Sequence, residues 1–160
     1  MSQHQMKIGM SAFSVIAAAL IFVPSAFAIS ALDEWNNETR IALATPVKIW
    51  LGLMMLTNIA ALGFLKNHVA SRFVFAGFVL SHAVGAVMVM QGMGLLAGQV
   101  SLLHVIFWTP GMIFLILHRA EIKLPSAYGV WAILSLTFYF GSMIFDVPDA
   151  IAFIQHALGD

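Results

Sequence analysis

Histidines at positions 68, 82, 104 and 118 are the residues of this chain best suited to chemistry. They form two pairs of equal spacing, His68 with His82 and His104 with His118. Fourteen residues along an α-helix rise about 21 Å and return the side chain to nearly the same face. Each pair therefore sets two imidazoles on one helix stripe, at two depths. Imidazole is costly in hydrocarbon, so histidines buried there are functional candidates by default. The spacing points to two stacked cofactor sites.

A second property links the pairs across a hairpin. In two antiparallel helices, residues at one depth have numbers that add to a constant total. The totals for His68 with His118 and for His82 with His104 are identical. A turn centred near Met93 would make both pairs level, each able to ligate one iron from two sides. A turn centred near Ala97 would slip them by about eight residues, or ~12 Å, which one metal cannot bridge. The glycine-rich Gln91–Gly94 favours the first case, and the apolar run through Leu96 leaves the second open.

The elements that must position these histidines are membrane helices. Of 160 residues, 61% are hydrophobic and 9% charged, with a mean hydropathy of +0.96. Long, nearly charge-free runs of this kind signal transmembrane segments. Four spans are expected, at about Pro46–Leu65, Val69–Met90, Val100–Leu117 and Pro125–Phe145, the third interrupted by Pro110-Gly111. Thr45 is the expected N-cap of the first, with Pro46 at its first helical position. The fold class is an all-α four-helix transmembrane bundle in a single domain, residues 29–160. Residues 1–28 form either a signal peptide ending in Ala26-Phe27-Ala28 or an uncleaved N-terminal helix.

Charge gives an orientation. Lys66 and Arg72 flank one turn, Arg119 and Lys123 flank another, and the turn around Gly92 carries no charge. The positive-inside rule makes the first two cytoplasmic and leaves residues 29–45 and the C-terminus outside. The reading is a multi-pass protein of a bacterial-type inner membrane. The tail Val147–Leu158 has Ile151, Ile154 and Leu158 at helical spacing and reads as a short external amphipathic helix, with Asp146 and Asp149 near its start.

Several classes are excluded or left without support. Seven basic and seven acidic residues give no net charge, and no basic stretch suggests nucleic acid. Cysteine is absent, which removes disulfides and thiolate metal sites. There is no His-x-x-x-His box and no Gly-x-Ser-x-Gly nucleophile. Glu121 and Asp146 are the acids nearest a span and fall on opposite faces, so paired-carboxylate catalysis is not expected. No catalytic residue is assigned. Met88, Met90 and Met93 follow His82, but Met88 and Met90 point some 200° apart on a helix, so packing is their expected use. Gly77, Ser81 and Gly85 make a ladder of small residues that lets two helices approach closely. Asn58 and Thr57 read as helix–helix glue.

The Gly-flanked His82 and the two fourteen-residue spacings, over residues 68–118, resemble transmembrane b-type cytochromes. In that family, histidine pairs on a four-helix bundle hold stacked haems. The resemblance implies haem b on bis-imidazole iron held by His82 with His104 and by His68 with His118. It implies Gly85 as room beside the macrocycle, and Arg72, Arg119 or Lys66 as partners for haem propionates. On the outer side only Lys48 and Arg40 are available for that role. Electron transfer in the lipid bilayer follows, within a homo-oligomer or larger redox complex and with quinone as an associated partner. The alternative is a non-catalytic membrane subunit or small-solute transport protein with structural histidines.

Overall fold

The computed structural model describes residues 30–159, so the expected signal peptide or first helix at 1–28 lies outside the described residues. A short helix α1 (Asn37–Ala42) is followed by four long ones. These are α2 (Thr45–Ala60, extended by a 3-10 turn Ala61–Phe64), α3 (Val69–Met90), α4 (Ala97–Leu117) and α5 (Ala127–Leu158). All four are long and apolar enough to cross a membrane. Helices suit that environment because every backbone group finds its partner within the segment.

The turn between α3 and α4 decides the histidine register. Gly92 adopts φ 78°, and its amide donates to the Val89 carbonyl at 2.9 Å while that of Met93 donates to Met88 at 3.1 Å. This is a Schellman ending, which calls for a residue without Cβ at the left-handed position. The chain therefore reverses near Met93. The contacts agree: a Cβ on Gly77 would lie 2.2 Å from the Phe107 carbonyl oxygen, and one on Gly111 would lie 3.0 Å from Val74 Cα. Gly77 thus faces Phe107 and Trp108, while Val74 faces Gly111. The small-residue seam packs α3 on α4 within one chain.

Three boundaries differ from the sequence expectations. Ala44 rather than Thr45 caps α2, whose first turn still holds Pro46. The third span begins at Ala97 and runs through Pro110 without interruption. Its first amides are satisfied from outside the helix, Ala97 N–H by the Asp33 carbonyl at 2.9 Å and Gly98 N–H by Ala31 at 2.7 Å. The largest difference is at the C-terminus. The tail does not form a separate surface helix but continues α5 through Pro148 to Leu158. An interior proline costs about 3 kcal/mol in a helix, and packing on both sides of Pro148 opposes it. Asp146 and Ala150 are buried there, and Phe153 Cβ lies against Gly98. At 1.5 Å per residue α5 is about 48 Å long, well beyond a hydrocarbon core of about 30 Å.

The tight core lies along α3–α4–α5, with Val74, Trp108, Leu115 and Tyr139 almost fully buried. Two polar clamps tie α2 to α5. Tyr139 donates to Asn58 Oδ1 at 2.6 Å and Trp131 Nε1 donates to the Thr57 carbonyl at 2.9 Å. Asn58 is the glue that its sequence position suggested, whereas the Thr57 hydroxyl donates to Leu53 within its own helix and only its backbone carbonyl reaches α5. Elsewhere α2 touches α3 only lightly, and the space left between them becomes the site.

Candidate functional site

A cavity of about 760 Å³ opens between α2, α3 and α4 at the Gln91–Leu96 end of the bundle. His82 and His104 both line it, together with Gly85, Ser81 and Trp108. Its apolar wall includes Leu51, Met54, Val100 and Leu103. Over its mouth lies the segment before α2, contributing Glu34, Trp35, Asn36, Asn37 and Arg40. That segment is held by backbone pairing to the α3–α4 turn, with Trp35 N–H donating to Leu95 at 2.6 Å.

Each histidine of this pair has its Nδ1 engaged. His82 Nδ1 lies 2.8 Å from the Phe78 carbonyl one turn back on α3. A carbonyl only accepts, so the proton resides on Nδ1 and Nε2 keeps its lone pair. His104 Nδ1 donates to Asp146 Oδ2 at 3.3 Å. Its ring is stacked on Trp108 with centroids 3.9 Å apart and planes 17° apart. Both rings therefore leave Nε2 without a hydrogen-bond partner among the described residues. Imidazoles that ligate metals are held in this way, with the second nitrogen donating to a carbonyl or carboxylate.

The remaining predicted residues lie elsewhere. His68 Nδ1 donates to Glu121 Oε2 at 2.7 Å, and its ring stacks on Tyr128 at 3.5 Å. His118 Nδ1 donates to the Phe114 carbonyl at 3.0 Å. Neither lines the cavity. Arg72 is turned onto the α2–α3 connection, where Nε donates to the Leu65 carbonyl at 2.7 Å. Arg119 lies in the short 3-10 turn after α4. Both arginines sit at the far end of the bundle, and the cation that lines the cavity is Arg40. Met90 and Met93 line it too, whereas Met88 does not.

Sequence reasoning missed Asp146. By its place in the sequence it flanks the last span, yet it is 9% exposed and the only buried charged residue among those described. Ser101 donates to its Oδ1 at 3.1 Å, and Ser142 and His104 donate to its Oδ2. Ser101 with Asp146 and Gly98 with Asp149 share one residue-number total, but that level is set by how α4 and α5 pack and is not the one the expected turn between Leu117 and Pro125 implies.

Among the described residues no three or more His, Asp or Glu side chains group as ligands for a bare metal ion. What the site offers is two imidazoles, apolar walls and a polar mouth that carries one guanidinium, Arg40, and one carboxylate, Glu34. Compared with known proteins, the chain matches no family model, no curated protein and no solved structure. The fold and composition define a small multi-pass integral membrane protein.

Proposed function

We propose that this protein is a membrane haem protein that holds one haem b in the cavity between His82 and His104 and serves electron transfer. One observation carries the reading: two histidines with Nδ1 engaged and Nε2 unpartnered line the same cavity from adjacent helices. The fit of the residues is consistent with it. The cavity volume falls within the roughly 300–1,000 Å³ range of cofactor sites. Gly85 presents no side chain there, and a Cβ at that position would meet only Leu95 and Leu103 side-chain atoms, at 3.6 and 3.9 Å.

His82 and His104 would hold the haem iron, which when bound would supply one-electron chemistry. Leu51, Met54, Val100 and Leu103 would give the group apolar contact on the inner side, while His82 stands exposed at the outer edge of the cavity. Arg40 and Asn37 would offer donors to carboxylates at the mouth, beside Glu34, which takes the Asn36 amide. Under the positive-inside rule this mouth faces away from the cytoplasm of a bacterial-type inner membrane. Quinone exchange, and assembly into a redox complex or homo-oligomer, belong to the same reading with no residue assigned to them. A second haem on His68 and His118 is not part of it, because neither ring lines the cavity.

The test is the iron content and visible spectrum of protein expressed with ample haem. A Soret band and a reduced α-band at one haem per chain support the proposal. Protein without iron and without Soret absorption overturns it and leaves the non-catalytic membrane subunit.

A further inference from the structure

Asp146 is a carboxylate placed where a membrane protein gains nothing from charge alone. It sits on α5 facing α4 and is 9% exposed. Burying an ionisable group there is costly unless its acceptor sites are filled. They are filled by three donors, Ser101 on Oδ1 and Ser142 and His104 on Oδ2. The two hydroxyls satisfy the carboxylate and fix its plane. The third contact falls on a histidine that also lines the cavity and whose ring is clamped on its face by Trp108.

We infer that Asp146 is a positioning residue for His104, orienting its ring and raising the donor strength of its Nε2 toward the iron of the cavity. The inference rests on the haem reading and adds an asymmetry to it. His82 donates from Nδ1 to a neutral carbonyl, whereas His104 donates to a carboxylate. A carboxylate pulls the Nδ1 proton harder, so the imidazole acquires more anionic character and stabilises ferric over ferrous iron. The negative charge of Asp146 acts in the same direction. His104 is therefore the stronger of the two ligands, and Asp146 holds the reduction potential down.

The experiment is a spectroelectrochemical titration of the haem-loaded full chain, comparing wild type with Asp146→Asn, Asp146→Glu and Ser142→Ala. Asp146→Asn keeps the volume but offers a weaker acceptor. Its potential should rise by the equivalent of roughly a tenfold change in the ferric-to-ferrous ratio, about 59 mV for one electron. Asp146→Glu should return part of the shift. Ser142→Ala frees Oδ2 of a competing donor, strengthens the His104 contact and should lower the potential. That variant keeps the test decisive if Asp146→Asn does not fold. Potentials equal to wild type in the loaded Asp146→Asn and Ser142→Ala proteins overturn the inference while leaving the haem reading intact. Wild-type protein that takes up no haem overturns both.

Discussion

Trp108 joins the two histidine-bearing helices: its Nε1 donates to Ser81 Oγ at 3.1 Å, next in sequence to His82, while its ring face lies on His104. The indole is 1% exposed and also stacks with Tyr139 at 5.2 Å. One rigid side chain thus sets where α3 and α4 carry their imidazoles.

Trp108→Phe keeps the stacking surface and removes the donor, leaving Ser81 Oγ with a buried acceptor site unmet. Losing one partner of a buried hydrogen bond costs about 1–3 kcal/mol. The variant should unfold at lower temperature or detergent-denaturant concentration than wild type, by an amount in that range. Unchanged stability would show that the Ser81 contact carries no weight.

The small-residue ladder separates into two functions. Gly77 lies against the Phe107 backbone, where a Cβ would sit 2.2 Å from the carbonyl oxygen, so even Gly77→Ala must force α3 and α4 apart. Overpacking of this kind costs about 1–3 kcal/mol. Gly85 faces only side-chain atoms at 3.6 Å or more and lines the cavity, so Gly85→Ala should be near neutral. Gly85→Leu should fill the cavity and not split the helices. Thermal unfolding of the three variants, ranked side by side, tests the division; equal losses at both glycines would refute it.

How far the sequence revealed this arrangement follows from particular residues. The level of His82 and His104 was left between two turns by the sequence, and the left-handed Gly92 that closes α3 near Met93 is what favours the level case. Four spans were legible from apolar run length. Pro110 and Pro148 misled in the same way: each removes one backbone donor, and in both cases packing keeps the helix continuous. Asp146 was misplaced because a charge normally marks the membrane boundary, and its three donors come from residues distant in sequence or hidden one turn away. The strap over the cavity, and Arg40 with it, follows from backbone pairing between residues 31–35 and the α3–α4 turn, for which the side-chain pattern offers no sign.

Orientation follows from charge at the two ends of the bundle. Lys66, Arg72, Arg119 and Lys123 lie at the end away from the cavity, and the α3–α4 turn is uncharged. A reporter inserted at residue 95 should be read outside the cytoplasm and one at residue 121 inside it. The reverse pattern would place the cavity mouth and Arg40 on the cytoplasmic side.

The histidines should divide sharply when substituted one at a time. His82→Ala and His104→Ala each remove one of the two imidazoles that line the cavity, so each should abolish or strongly shift the Soret band and the reduced α-band. His68→Ala should leave the spectrum unchanged, because that ring lies outside the cavity, against Glu121 and the face of Tyr128. It should instead loosen the contact between the α2–α3 connection and the α4–α5 loop, by about 1 kcal/mol or less for a partly exposed pair. His118→Ala should likewise leave the spectrum intact, since that ring lies outside the cavity. Optical spectra and haem stoichiometry of the four variants give the answer together. Equal loss from the His68 and His118 variants would restore a second site at the far end of the bundle and refute the single-site assignment.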